Sequence, residues 1–570
     1  MKLLGRYIKQ YLKESILAPV FKMLEALFEL LIPVIVARII DTDIYTGRQY
    51  VIRDVIIMIV LGLVGFASAV SAQYFAAKCA AGTGAAMRRD LFAHINTLSY
   101  KEIDSIGTSV LITRMTSDIN QLQTAVNMFL RLFLRAPIIV VGAAVAACAI
   151  GRKTDLLFAV TVPGLFALVF LILVLTMPLN AKVQQVLEKI TLSVKENISG
   201  ARVIRAFGRQ NAEAEEFREL SGLLYKKQLT FGSVSGLLNP FSYAVINLAI
   251  AGIIYIGGGE TFEGAITRGT VVALVNYMSQ VLVELIKLAN LIIIESKGLA
   301  SLKRINELFA VRNSITDGDM EIEPEKPVGI SFDDVTFSYG ENASPAVSGV
   351  SFEILPGQTV GVIGNTGSGK TTLINLMLRN YEAGSGCIKA DGIPVGEIKR
   401  SSLLDASAVV PQKAVLFAGT LRSNLSMGRN VSDEEMLEAL DIAQARDFVD
   451  AKGEGLDLRI EEGGSNLSGG QRQRLTIARA LVRKAGLLIL DDSSSALDYA
   501  TDAALRKALK SCRRERTTVI ISQRISSVRE ADSIIVMDKG RVAGTGTHDE
   551  LLESCGIYRE IYKTQEGTDE

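Results

Sequence analysis

GNTGSGKT, Gly364 to Thr371, fits the pattern G-x-x-x-x-G-K-[ST] with no position left over. The apolar run TVGVIG leading into it predicts a buried strand, and KTTLINLML at its end predicts a helix. A glycine turn between strand and helix is the frame in which main-chain N–H groups wrap an anion. Gly364, Gly367 and Gly369 supply the backbone freedom, and the new helix aims its unpaired N–H groups and positive dipole end at the phosphates. Asn365, Thr366 and Ser368 fill the rest of the turn. Lys370 is set to reach the β- and γ-phosphates, Thr371 to place its hydroxyl on Mg²⁺, and Thr372 follows on the first helical turn. The loop therefore predicts a bound nucleotide with Mg²⁺, and says nothing of what the nucleotide drives.

Outward from the loop, the composition describes two unlike parts. Of 570 residues, 49% are hydrophobic, and the mean hydropathy of +0.29 is high for a chain that never meets lipid and low for one that never leaves it. Lys plus Arg and Asp plus Glu are both 61, so the net charge of zero gives nucleic acid no electrostatic purchase, and none is expected as a partner. The five cysteines, Cys79, Cys148, Cys387, Cys512 and Cys555, are odd in number and scattered, which fits reduced thiols better than disulfides or a zinc site. The basic start MKLLGRYIKQYLKE is followed by no small-residue cleavage site, so it reads as a retained cytosolic N-terminus.

Six strongly apolar segments occupy the first half: 16–40, 51–77, 126–150, 156–177, 241–257 and 271–294. Most approach the ~20 residues that cross a bilayer as helix. The gaps at 41–50, 151–155 and 258–270 are short; those at 81–125 and 178–240 are long, charged and helically spaced. Short loops are expected outside, and the long gaps as helices reaching into the cytosol, each broken by an elbow near Asp104 to Thr108 and Gly208 to Asn211. Lys22, Glu25, Glu29, Arg131, Arg135, Glu284 and Lys287 fall inside the spans at spacings of three and four. Such charges mark either a substrate pathway or pairing within the bundle.

After Leu308 a polar stretch with prolines and glycines, 311–330, predicts a linker, which leaves 1–310 as a transmembrane domain and 331–570 as a nucleotide-binding domain. Strands such as VGVIG, ASAVV, LLILDD and TVIIS alternate with helices there, the mark of a mostly parallel α/β sheet. LLILDD ends in carboxylates, and Asp491 is placed to bind Mg²⁺ opposite Lys370. Ahead of it stands NLSGGQRQRLTIARALV, where Ser468, Gly469, Gly470 and Gln471 form a second glycine turn feeding a helix.

One nucleotide does not need two such turns from one cassette. LSGGQ, Leu467 to Gln471, is similar to the signature of ATP-binding cassette proteins, and with six spans ahead of it the chain resembles one half of an ABC exporter over nearly its whole length. SGARVIRAFGRQ, Ser199 to Gln210, resembles the second long intracellular loop of that family. The resemblance implies a domain-swapped α-helical transmembrane domain followed by an α/β P-loop domain in the cell membrane, with the nucleotide-binding domain cytoplasmic. It also implies a partner half-transporter, since the family's cassettes close head to tail and each ATP lies between the phosphate loop of one and the signature of the other. By position, Tyr339 corresponds to the aromatic that stacks on adenine and Gln412, in VVPQ, to the glutamine that reaches Mg²⁺. Ser495 to Asp498 corresponds to the loop between the two sites, and Glu461 to Gly464 to the segment that meets the elbows.

Two positions depart from the family pattern. The glutamate expected after Asp491 is Asp492, one methylene shorter, and the switch histidine is Gln523, in ISQRIS. Where positioning is the mechanism, a retreat of about 1 Å costs on the order of 10²-fold in rate. The resemblance therefore implies a phosphate loop that binds ATP and turns it over slowly, an intact signature that completes a partner's site, and a heterodimer exporting small hydrophobic or amphipathic compounds. Two alternatives stay open: import of metal-chelator complexes on the same fold, and an ATP-gated channel-like subunit.

Overall fold

The computed structural model describes residues 2–148, 154–340, 343–493, 496–511 and 516–566. The chain divides into two compact units. One holds Met1–Asn96 and Thr108–Val311; the other holds Arg312–Glu570 together with Thr97–Gly107. The elbow expected near Asp104 thus belongs, by its contacts, to the nucleotide-binding unit, although its chain leaves from and returns to the helical one.

The helical unit is built from long apolar helices. Among the described residues, five are long and apolar enough to cross a membrane: Arg48–Thr97, Thr108–Ala147, Leu156–Ser199, Gln210–Phe262 and Arg268–Ala310. The first expected span is a helix over Leu12–Arg38 that carries Lys22, Glu25 and Glu29, more charge than the other apolar windows hold. At 1.5 Å per residue a 50-residue helix such as Arg48–Thr97 is roughly 75 Å long, far beyond a hydrocarbon core of about 30 Å. The long charged gaps are therefore helical, and each is broken by an elbow. Gly107 ends one elbow helix, Tyr100–Ile106, and Phe207–Arg209 separate the other, Ala201–Ala206, from Gln210–Gly236. Phe66, Leu63 and Val145 are exposed, the kind of apolar surface that faces lipid or a partner protein.

Arg268–Ala310 runs through the core of this unit. Tyr277 is fully buried and its hydroxyl donates to the Leu30 carbonyl at 2.8 Å. Gly298 lets this helix lie against Ala125, whose Cβ would be 2.3 Å from any Cβ placed there. At its N-terminus, Asp41 accepts from the Gly269 N–H at 2.7 Å and from the Thr267 hydroxyl, which satisfies donors the helix cannot pair itself.

The structure gathers six of the seven intramembrane charges into one network. Arg135 pairs with Glu29 at 2.7 Å and with Glu25 and Glu284 at 3.3 Å, while Lys22 pairs with Glu25 at 2.6 Å and Lys287 with Glu284 at 2.8 Å. Three cations meet three carboxylates, so the cluster is neutral in a medium where an unpaired charge is expensive. Arg131 forms none of these ion pairs.

In the nucleotide-binding unit, the strands Thr359–Gly364, Ser407–Val410, Leu487–Asp491, Thr517–Ser522, Ser533–Asp538 and Arg541–Gly546 form one sheet, all parallel except the last. Thr359–Gly364 lies between Thr517–Ser522 and Ser533–Asp538 and is buried at every position, which is why TVGVIG reads as an unbroken apolar run. A second, antiparallel sheet pairs Ile330–Phe337 with Val347–Ile354 and Ser385–Ala390. The polar stretch after Val311 is fastened to this unit: Arg379 donates to the Thr316 carbonyl at 2.7 Å, the Arg400 N–H to Asp317 at 2.7 Å, and Met320 forms a parallel bridge with Ile398. Cys79 and Cys555 are buried, as small hydrophobes would be, whereas Cys387 is partly exposed; Cys512 lies outside the described residues.

Candidate functional site

The phosphate loop leaves the sheet at Gly364 and enters the helix Lys370–Met377 at Gly369. A Cβ on Gly364 would sit 2.2 Å from the Met537 carbonyl oxygen and 2.7 Å from Ser368 Oγ, so no other residue fits against the neighbouring strand. Gly369, at φ +99°, would press a Cβ to 2.8 Å from the Ala346 carbonyl. Ser368 is buried and holds the turn from inside: its N–H donates to Asn365 O, and its carbonyl accepts from the Gly540 N–H, both at 3.1 Å. Asn365, Thr366 and Gly367 are exposed. Lys370 folds back over the loop and donates to the carbonyls of Gly364 at 2.6 Å and Asn365 at 2.8 Å. Burial pushes its pKa below the usual lysine range, opposed by the charges of Asp492 and Asp491.

A cleft of about 320 Å³ brings most of the expected residues together: Tyr339, Thr366, Gly367, Gly369, Lys370, Thr371, Thr372, Gln412, Asp491, Asp492 and Gln523 all line it. They come from five separate stretches of chain, placed side by side by the order of the parallel strands. Asp491 is buried at the end of its strand. Burial, then the neighbouring charge of Asp492, raises its pKa to about 6, against the pull of Lys370 and a hydrogen bond from Thr371. Thr371, Gln412 and Asp491 offer three oxygens, the donors a hard divalent cation takes, so this corner fits Mg²⁺ and the open N–H groups of the loop fit phosphate. Asp492 has φ +45°, a left-handed conformation that aspartate tolerates better than most side chains, and its N–H donates to Ile521 O at 2.8 Å.

Tyr339 is 49% exposed and lines the cleft, while its hydroxyl lies 3.2 Å from that of Thr372. Two residues that the sequence did not single out support the site, Tyr381 and Gln565. Tyr381 meets the Tyr339 ring edge-on at 5.2 Å. Its hydroxyl, whose pKa is raised by burial and by Asp104, donates to the Asp104 carboxylate of the elbow helix. Gln565, in the helix Gly556–Glu566, donates to Gln523 O at 2.6 Å and accepts from the Ile525 N–H at 2.8 Å, so it grips the switch turn from both sides. Such contacts span 277, 42 and 40 residues, and no local pattern announces them.

The signature turn lies elsewhere. Ser468 caps the helix Gly469–Val482 through a reciprocal box: its hydroxyl accepts from the Gln471 N–H at 3.3 Å, and the Gln471 side chain accepts from the Ser468 N–H at 3.0 Å. Ser468 and Gly469 are exposed, and Ser468, Gly469, Gly470 and Gln471 do not line the cleft around Lys370. Asp498 accepts from the Thr501 N–H at 2.9 Å and so caps the next helix; Ser495 lies outside the described residues. Gly463 and Gly464, both at positive φ, shape the segment after Glu461.

Known proteins share this two-part architecture. A family model described as the ABC transporter transmembrane region matches residues 15–285, and one described as ABC transporter matches residues 347–495. An uncharacterized ABC transporter ATP-binding protein of Mycobacterium tuberculosis is 32% identical over 99% of this chain and 98% of its own. An uncharacterized counterpart from Bacillus subtilis is 33% identical over 98% of both chains. An ATP-dependent lipid A-core flippase of Chromobacterium violaceum is 30% identical over 99% of this chain and 97% of its own. A bacterial Atm1-family ABC exporter solved with ATP bound shares the fold, with a TM-score of 0.81 over 100% of both chains at 23% identity. The second unit is accordingly an ATP-binding domain with ATPase activity, carried by a membrane protein. From its transmembrane region through its ATP-binding domain, this chain belongs to the ABC transporters, as a half-transporter with the exporter fold.

Proposed function

We propose that the chain is one half of a heterodimeric exporter whose two ATP sites are unequal, and that its own phosphate loop is the slow one. One observation carries the reading: Asp492 and Gln523, the two departures from the family pattern, line the cleft around Lys370, whereas the intact signature turn is exposed away from it. The loop N–H groups from Gly364 to Gly369 hold phosphate oxygens, and Lys370 moves from its loop carbonyls onto them. Thr371, Gln412 and Asp491 hold Mg²⁺, Thr372 anchors the hydroxyl of Tyr339, and the Tyr339 ring carries the base. Mg²⁺ supplies charge neutralisation along the phosphates. Asp492, with its shorter reach, orients water poorly, and Gln523 donates a hydrogen bond without a charge. The exposed turn Ser468–Gln471 offers its N–H groups to the nucleotide of the partner, which supplies the missing glutamate and histidine.

Export from a cytoplasmic nucleotide-binding domain and N-terminus is the direction that the fold and the basic start favour. A lipid-like or otherwise amphipathic substrate fits the long apolar helices and the flippase among the relatives. Within the charge network, Glu29 is 37% exposed and Lys287 is 38% exposed, so these two are the members available to a charged head group. The test restores Asp492→Glu with Gln523→His in the assembled transporter. ATPase at this site should rise by on the order of 10²-fold. An unchanged rate, or a complex of this chain alone that hydrolyses ATP as fast as it transports, would overturn the proposal.

A further inference from the structure

The Tyr339 ring ends an aromatic run that begins outside the cleft. Tyr381 packs edge-on against it with the ring planes at 85°, and Phe337 touches both rings, at 4.9 Å from Tyr339 and 5.5 Å from Tyr381. Tyr381 is 8% exposed. Phenylalanine would supply the same packing, and a buried hydroxyl is costly unless it finds a partner. Its partner is a carboxylate, Asp104, in the elbow helix Tyr100–Ile106. That helix is itself well fixed: Ser99 and Glu102 close a capping box at its start, and Asn313 donates to the Thr97 carbonyl at 2.9 Å. The chain on either side of the elbow runs directly into Arg48–Thr97 and Thr108–Ala147, two of the membrane-crossing helices. A charge-assisted hydrogen bond of this kind is directional, so a shift of the Tyr381 ring moves or strains it.

We propose that Tyr381 is a positioning residue through which a base stacked on Tyr339 is read by the elbow helix Tyr100–Ile106, so that the elbow responds to the base of the nucleotide as well as to its phosphates. The inference rests on Tyr339 being the base platform. A base stacked on the half-exposed Tyr339 in the cleft restricts its ring, the edge-on pair transfers that restriction to Tyr381, and the hydroxyl fixes Asp104. By reciprocity, an ordered elbow strengthens base stacking by the same free energy.

The experiment is hydrogen exchange of residues 97–107 in the full-length transporter in lipid nanodiscs, with Mg²⁺ and either ATP or inorganic tripolyphosphate. ATP should protect the segment several-fold more than tripolyphosphate does. Tyr381→Phe and Asp104→Ala should each remove that difference, the double variant no further, while the Kd for ATP weakens by no more than the same several-fold factor. Retention of the difference in Tyr381→Phe would overturn the proposal. So would an ATP Kd weakened more than about tenfold in that variant, because Tyr381 would then be a prop for the stacking ring. Tyr339→Ala separates the underlying reading: it should weaken ATP and leave tripolyphosphate untouched. An unchanged ATP Kd would sink the base platform itself, whatever Tyr381→Phe does.

Discussion

Two glycine turns in this chain each feed the N-terminus of a helix, and they are finished in opposite ways. The turn Gly364–Gly369 is closed by its own domain: the Met537 and Ala346 carbonyls press on its glycines, and Lys370 lies across its mouth. The turn Ser468–Gly470 satisfies its own cap through Gln471 and otherwise stands in solvent, with nothing within 4 Å of a Cβ built on Gly469. The first is a site this domain can assemble alone. The second is an exposed helix start that shares no cleft with the first. Chemically similar turns are thus given different surroundings by the fold, and the sequence departures Asp492 and Gln523 lie with the first.

That contrast can be broken most decisively at the signature. Ser468→Arg, which destroys the cap and fills the exposed turn, should lower ATPase of the assembled transporter by on the order of 10²–10³-fold and leave nucleotide affinity at the Lys370 cleft unchanged. Lys370→Ala should do the reverse, weakening nucleotide binding at its own cleft by about 10²-fold through loss of charge-assisted bonds, with a smaller effect on turnover. The comparison fails if Lys370→Ala abolishes turnover and Ser468→Arg spares it. Next in size is a pH effect. With its pKa raised to about 6, Asp491 is mostly ionised at pH 7 and takes up a proton as the pH falls through that value. Since proton and Mg²⁺ compete for one carboxylate, the Mg²⁺-dependent gain in ATP affinity should shrink by about tenfold between pH 7 and pH 5. Titrations with and without Mg²⁺ measure it directly. The smallest effect concerns the switch turn: Gln565→Ala removes two hydrogen bonds of ~1 kcal/mol each and should speed hydrogen exchange at 523–525 while altering ATPase only a few-fold.

Much of this site is legible in the sequence because its chemistry is local. A phosphate cradle needs consecutive residues, so GNTGSGKT and LSGGQ each carry their own geometry, and the buried parallel strands appear as apolar runs on either side. The membrane helices are legible for a similar reason, since length and hydropathy are properties of a single stretch. Leu12–Arg38 shows where this stops. Lys22, Glu25 and Glu29 make it look less like a span than its neighbours; Lys22 and Glu25 pair within the helix, but Glu29 finds its partner in Arg135, more than a hundred residues away. Tyr381 carries no signal at all: a tyrosine in an ordinary helix-end sequence gains meaning from Tyr339 on one side and Asp104 on the other.

The elbow is the sharpest case. Sequence periodicity alone locates a break in the long helical extension near Asp104, because glycine at 107 cannot continue the helix cheaply. Which unit that elbow belongs to is decided by packing, through a hydroxyl and a carboxylate 277 residues apart. Sequence by itself determined that the chain holds a phosphate loop, a second glycine turn and a set of apolar helices, since each depends on hydrogen bonds and side chains within one stretch. Only the tertiary structure decided which carboxylates share the cleft, which glycine turn stays outside it and which tyrosine reaches the elbow. Those outcomes depend on strand order and on contacts whose cost in chain entropy is met by burial, and no single stretch encodes them.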